Sequence, residues 1–90
     1  MLIPRLSGQF KKDVKKAEKR GKDMKKLRTV LELLFAEQNL PLQYRDHPLK
    51  GEWAGFRDAH IEPDWLLIYY VRGNVLYLVR TGTHSDIFDE

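Results

Sequence analysis

The chain contains no cysteine. That absence excludes a scaffold stapled by disulfides, a thiolate metal site and a thiol nucleophile. Long apolar runs are missing too. The longest, Trp65-Leu66-Leu67-Ile68-Tyr69-Tyr70-Val71, falls far short of the roughly 20 residues a membrane-spanning helix needs. Pro4, Arg5 and the lysines after them interrupt any apolar segment of a secretory leader. There is no internal repeat, low-complexity tract or linker. The expectation is a small soluble protein of the reducing cytoplasm, with no membrane partner. Its 90 residues predict one domain over 1–90. A chain this short buries only about 60–65% of its unfolded surface, so the core is thin. A hydrophobic fraction of 42% still suffices for a globular fold and is too high for intrinsic disorder.

What is present is unevenly placed. The net charge is +3, but residues 1–28 hold eleven Lys and Arg against Asp13, Glu18 and Asp23, a local charge of +8. The remaining 62 residues carry five basic and ten acidic side chains, or −5. A basic segment joined to a mildly acidic one suggests an anionic partner, nucleic acid first. The plainer alternative is a solvated lysine-rich helix face.

Apolar spacing divides the chain in two. Leu2–Arg5 reads as a short edge strand, because Pro4 cannot donate to a central ladder. Ser7 then caps a helix whose Leu6, Phe10, Val14 and Ala17 form one narrow apolar stripe. Its other face is Lys11, Lys12, Lys15, Lys16, Lys19 and Arg20, and Gly21 suits the helix end. A second helix is predicted from Lys22 to Gln38, with Met24, Leu27, Leu31 and Leu34 as its stripe and Asn39 and Pro41 as its stop. After Pro41 the period changes to two. Strands are expected over Trp53–Ile61, Asp64–Val71 and Val75–Thr81, with Gly73-Asn74 as a hairpin turn and Glu62-Pro63 as a weaker one. The architecture is α+β: a basic helical hairpin packed on an antiparallel, mostly meander sheet, with a short C-terminal helix or tail.

Pairing outward from Gly73-Asn74 sets Leu67 opposite Arg80, Trp65 opposite Gly82 and Asp64 opposite Thr83, next to His84. A turn at Glu62-Pro63 sets His60 opposite Trp65. Opposed residues share a face, so His60, Trp65 and Arg80 project together, with Asp64 and His84 at the same end. A slip of one residue would reverse that face. His47, in the polar loop before the sheet, can reach the same corner. Each residue has a plainer use: a surface histidine, a turn-forming Asp64, a core Trp65. Arg80 is harder to set aside, since a buried guanidinium requires an anionic partner or ligand.

Three uses of such a corner are open. One is RNA cleavage by the ribose 2′-hydroxyl, with histidines as acid and base and arginine at the phosphate. Another is a metal site of His47, His60, Asp64 and His84, although no close ligand pair such as HxH is present. The third is a binding module without chemistry, using lysines and aromatic rings.

The run Asp46-His47-Pro48-Leu49-Lys50-Gly51, then Trp53, then Gly55-Phe56-Arg57-Asp58-Ala59-His60-Ile61-Glu62-Pro63-Asp64-Trp65 resembles the YafQ branch of the RelE toxin superfamily. So does the closing Arg80-Thr81-Gly82-Thr83-His84-Ser85-Asp86-Ile87-Phe88. The resemblance implies a RelE-like fold and the toxin of a bacterial type II toxin–antitoxin pair. It implies a ribosome-dependent endonuclease that cuts the messenger codon in the A site, with A-rich lysine codons associated with this branch. No cofactor and no metal are implied, and the products would be a 2′,3′-cyclic phosphate and a 5′-hydroxyl. Implied partners are an acidic, DinJ-like antitoxin, the 70S ribosome and mRNA, with operator DNA bound only through the antitoxin complex. The family's functional positions fall on His47, His60, Asp64 and His84, with Arg80, Trp65 and Phe88 supporting RNA binding or the phosphate. His84 would be the general acid, Asp64 or His60 the base, Arg80 the phosphate partner and His47 an orienting group. Lys11, Lys12, Lys15 and Lys16 would meet ribosomal RNA. Two alternatives stand beside this reading: a catalytically silent regulator of operator DNA, and a metal-dependent nuclease.

Overall fold

Ser7 starts the first helix in the way its side chain allows. Its Oγ accepts the Phe10 N–H at 2.9 Å and donates to the Val79 carbonyl at 2.7 Å, tying helix start to sheet. The computed structural model describes residues 1–89; Glu90, the last residue of the expected 1–90 domain, lies outside the described residues. Strand β1 (Ile3–Leu6) precedes helices α1 (Gly8–Lys19) and α2 (Met24–Phe35). Then come β2 (His47–Pro48), β3 (Arg57–Glu62), β4 (Trp65–Arg72), β5 (Val75–Gly82) and α3 (His84–Phe88), with short 3₁₀ turns at Leu42–Tyr44 and Gly51–Trp53.

The second helix is shorter than its apolar spacing suggests. Asp23 accepts the Lys25 N–H at 3.1 Å and caps α2, so Lys22 lies outside it. At the far end Glu37 adopts a positive φ of 59°, which stops the helix before Gln38. Leu6 belongs to β1 and is 44% exposed, not part of the α1 stripe.

The sheet order is β1-β5-β4-β3-β2. Strands β3 to β5 form the expected antiparallel meander, although β3 opens at Arg57 and not at Trp53, which lies in a 3₁₀ turn. Strand β2 falls in the segment expected as a loop, and β1 pairs with β5 in parallel, which makes the sheet mixed. The helical hairpin is the reason: it carries the chain far enough for β1 to lie along the distant edge in the same direction as β5.

Two irregularities reassign the faces. From Arg72↔Val75 to Tyr69↔Leu78 the β4–β5 register is the one the Gly73-Asn74 turn dictates. A bulge then pairs Ile68 with Arg80 and Leu67 with Thr81, so Leu67 does not face Arg80. The β3–β4 turn sits one residue later than expected, with Glu62 opposite Trp65, and a second bulge sets His60 opposite Leu66. His60 and Trp65 therefore lie on opposite faces. Trp65, Leu67 and Tyr69 join Phe10, Ala17, Leu27, Val30, Leu34, Leu76 and Leu78 in the core beneath the helices. Leu66 and Ile68 look the other way and pack with Ile87 of α3, covered by Leu49, Trp53, Phe56, Val79 and Phe88. No helix among the described residues is long and apolar enough to cross a membrane.

Candidate active site

The face away from the two long helices gathers the chain's three histidines. His47 on β2 pairs with Asp58 on β3, and His60 follows Asp58 by two residues, so the three share one side of the sheet. The rings form a row: His47 stacks on His60 at 5.9 Å between centroids, and His60 lies 5.8 Å from His84. Phe88 continues the row 6.4 Å beyond His84 and meets Trp53 edge-on at 5.7 Å.

His84 opens α3, and Asp64, in the β3–β4 turn, holds it twice. One carboxylate oxygen, Oδ1, accepts the His84 backbone N–H at 2.9 Å and lies 2.6 Å from the ring Nδ1. The backbone N–H first, and then the ring, hold the Asp64 carboxyl below the usual carboxylate range. Asp64 is thus an ionised partner of His84, and with Nδ1 turned to Asp64 the ring has Nε2 left for another partner.

Asp58 is the functional candidate that sequence reasoning missed. It is buried, its Oδ2 lies 3.8 Å from His47 Nε2, and its Oδ1 has no hydrogen-bond partner among the described residues. Burial pushes its carboxyl up, against the opposing pull of His60, His47 and His84. The signal was its alternation with His60, which only a known register turns into a shared face.

His60 Nδ1 is likewise buried without a partner among the described residues. His47, Asp58 and His60 each offer one donor atom, all within 4.8 Å of one another. Two imidazoles and a carboxylate with unpartnered buried atoms fit a divalent transition-metal ion. This differs from the set of four read from the sequence: Asp58 enters it, while Asp64 and His84, engaged with each other, fall outside it.

Arg80 has found its anion inside the protein. Its Nε donates to Asp13 Oδ2 at 2.8 Å, and Nη2 reaches Asp13 Oδ1 and the Asp86 carbonyl, both at 3.4 Å. Asp13, on the buried side of α1, also accepts the Thr81 N–H at 3.1 Å. Arg80 therefore stands behind α3, and its hydrogen bonds among the described residues go to Asp13 and Asp86 and not to the histidine row.

Trp65 requires a correction. Only 1% exposed, it donates its Nε1–H to Thr81 Oγ1 at 2.9 Å within the helix-side core. A ring that stacks on a base must reach solvent, so Trp65 is a core residue and not an RNA platform. Lys11, Lys12 and Lys15 are exposed on α1, whereas Lys16 pairs with Asp86 at 3.3 Å. Asp46 anchors the strand bearing His47: it accepts the Tyr69 hydroxyl at 2.6 Å and the Arg57 Nε at 3.2 Å.

Asp86 also predicts a pH dependence. Arg20, donating at 2.7 Å, and then the Thr83 N–H hold its carboxyl far below the usual range. A depressed native pKa contributes stability that is complete above the unfolded value of about 3.9. It is lost as pH falls through the lower native value. Asp86→Asn is therefore expected to lower Tm at neutral pH, with the gap from the parent narrowing toward about pH 2. Thermal melts across that range check it, and a constant gap would remove the carboxylate as its source.

Residues 3–89 match the family described as bacterial toxin of type II toxin–antitoxin system, YafQ. The chain belongs to the YafQ family. The mRNA interferase toxin YafQ of Escherichia coli K12 is 54% identical over 83 residues, spanning 91% of this chain and 90% of that protein. In the crystal structure of the E. coli DinJ–YafQ complex, the matched chain has a TM-score of 0.91 and 50% identity, over 98% of this chain and 99% of that one. A metal-bound toxin from Helicobacter pylori has a TM-score of 0.91 and 46% identity, over 98% and 100%. The likeness to YafQ structures over nearly the whole chain includes the α+β architecture with its mixed five-stranded sheet.

Proposed function

We propose that this YafQ-family toxin is a ribosome-dependent, metal-independent mRNA endonuclease that cuts the codon in the A site. The observation that carries this reading is the row His47–His60–His84 with Asp64 hydrogen-bonded to His84. Cleavage without an external nucleophile needs a base for the 2′-hydroxyl proton, an acid for the departing 5′-oxygen, and positive charge for the developing phosphorane. His60 is assigned as base, because Asp64 is already bound by His84 and its lowered pKa makes it a weak proton acceptor. The 2′-oxygen attacks phosphorus as His60 takes its proton. The bond to the 5′-oxygen breaks, and that oxygen receives a proton from His84 Nε2. A 2′,3′-cyclic phosphate and a 5′-hydroxyl result. Asp64 orients His84, His47 orients the RNA, and Phe88 offers a ring beside the acid. Arg80 is assigned to the scissile phosphate, for which the substrate competes with Asp13.

A divalent ion held by His47, Asp58 and His60 would supply Lewis acidity, and would also occupy the imidazole needed as base. Cleavage of mRNA on intact ribosomes is expected to persist in EDTA and to fall when zinc is added. Loss in EDTA with recovery on zinc would instead establish the metal-dependent nuclease.

The partners of the reading are the 70S ribosome, mRNA and an acidic antitoxin of the DinJ type, with operator DNA reached only through the antitoxin complex. It places the chain in the cytoplasm, where ribosomes are. Contacts to phosphates position a protein without reading sequence, so codon preference belongs to the histidine corner and affinity to α1. Changing Lys11, Lys12 and Lys15 together to Gln is expected to weaken ribosome binding and to reduce its log–log salt slope by about two to three. An unchanged slope would move the contacts off α1. A catalytically silent operator regulator would not arrest growth on expression, whereas the nuclease should do so until its antitoxin is supplied.

A further inference from the structure

Helix α3 carries His84 and Phe88, yet it spans only five residues. So short a helix does not fix its own direction; its ends and neighbours must do so. The contacts that do this converge on Asp86. Its Oδ2 accepts the Thr83 N–H and its own N–H donates to Thr83 Oγ1, both at 3.0 Å, closing a capping box. The same carboxylate takes Arg20 through two nitrogens at 2.7 and 3.3 Å, and Lys16 at 3.3 Å. Its carbonyl accepts from Arg80. Backbone is packed against it as well, since a Cβ at Gly82 would lie 3.0 Å from Asp86 Oδ2.

We propose that Asp86 is a positioning residue of the cleavage reaction: clasped by Arg20 and Lys16 of the basic helix, it fixes α3 so that His84 stays against Asp64 and in line with His60. Asp86 touches none of the histidines and acts only through the helix that bears one. The inference rests on His84 being the general acid. It also divides the basic segment by direction. All five are exposed, but Lys16 and Arg20 reach Asp86 and hold the active helix, while Lys11, Lys12 and Lys15 do not pair with it. A charge run that reads as one surface thus has two uses.

The test combines single-turnover cleavage at saturating ribosomes with the NMR resonances of the His84 ring. Asp86→Asn keeps an oxygen for the Thr83 cap and removes the charge; Arg20→Gln opens the clasp from the other side without altering α3. Displacing a reacting group by about 1 Å can cost as much as a hundredfold in rate, so each variant is expected to cleave roughly ten- to hundredfold more slowly. The double variant should be no slower than the worse single one, because both break one unit. Arg20→Lys, which keeps a cation, should recover most of the rate. The His84 ring resonances should shift in both single variants, with KM for ribosomes little changed. Normal cleavage and unshifted His84 resonances in folded Arg20→Gln would overturn the proposal, as would a loss confined to KM. Shifted resonances beside a fully active His84→Ala would instead remove the acid role of His84 and leave the placement of α3 by Asp86 standing.

Discussion

His84→Ala is expected to lower single-turnover cleavage of ribosome-bound mRNA by about two to four orders of magnitude, the usual worth of a positioned acid or base. Ribosome affinity should change little, because the lysines proposed to meet ribosomal RNA lie on α1 and His84 lies on α3. The size of the effect follows from the leaving group. An unprotonated 5′-oxygen departs as an alkoxide, and nothing else in the row is held by a carboxylate at 2.6 Å. Asp64→Asn should cost less, since an amide oxygen can still accept the His84 backbone N–H. It replaces the charged acceptor that holds the ring Nδ1 at 2.6 Å with a neutral one, so the ring is held less firmly and cleavage should still fall. Near-normal cleavage by folded His84→Ala would transfer the acid role to another side chain.

Trp65→Ala is expected to destabilise the chain by about 3–5 kcal/mol, the cost of emptying a large buried aromatic site. That is a large share of the roughly 5–15 kcal/mol that holds a typical domain together, and the core here is thin. Trp65 is 1% exposed and its Nε1–H is the partner of Thr81 Oγ1, which in turn donates to the Leu66 carbonyl at 2.7 Å. Trp65→Phe keeps most of the volume and removes the donor, so about 1–3 kcal/mol should be lost. Urea unfolding followed by circular dichroism measures both. If Trp65→Ala unfolded at the parent's midpoint while losing RNA affinity, the ring would have to be reassigned to the surface.

These two residues also show what was legible in the sequence. Gly73-Asn74 gave the β4–β5 hairpin, and Ser7 gave the start of α1, because both signals are local: a turn with φ of 61° at Gly73 and a hydroxyl within reach of an N–H. The convergence of His47, His60 and His84 survived as well, because it depends on which strand ends meet. What failed was the facing. Two bulges, one extra residue in β3 and one in β5, set His60 opposite Leu66 and Arg80 opposite Ile68 and so off the face that Trp65 shares with Leu67 and Tyr69. No side chain in either strand announces where a ladder will slip. Asp58 went unnoticed for the same reason. It alternates with His60 in the sequence, but whether that face is buried or open is decided by β2 and by packing on the far side. The anion for Arg80 was legible as a requirement and not as a residue, since Asp13 lies in a lysine-rich helix where an acid reads as part of a solvated surface. The parallel placement of β1 depends on where the helical hairpin delivers the chain, which apolar periodicity does not encode.

The two borders of the sheet are short and each contains a proline: β1 spans four residues with Pro4, and β2 only two, His47 and Pro48. A proline offers no N–H to an incoming strand, and so few residues give little template for one. Copies of the chain therefore have no ready way to zip together border to border. Both borders are thus closed to main-chain addition by the sequence itself. This also directs any tight binder toward helix faces and side-chain pockets, away from main-chain pairing.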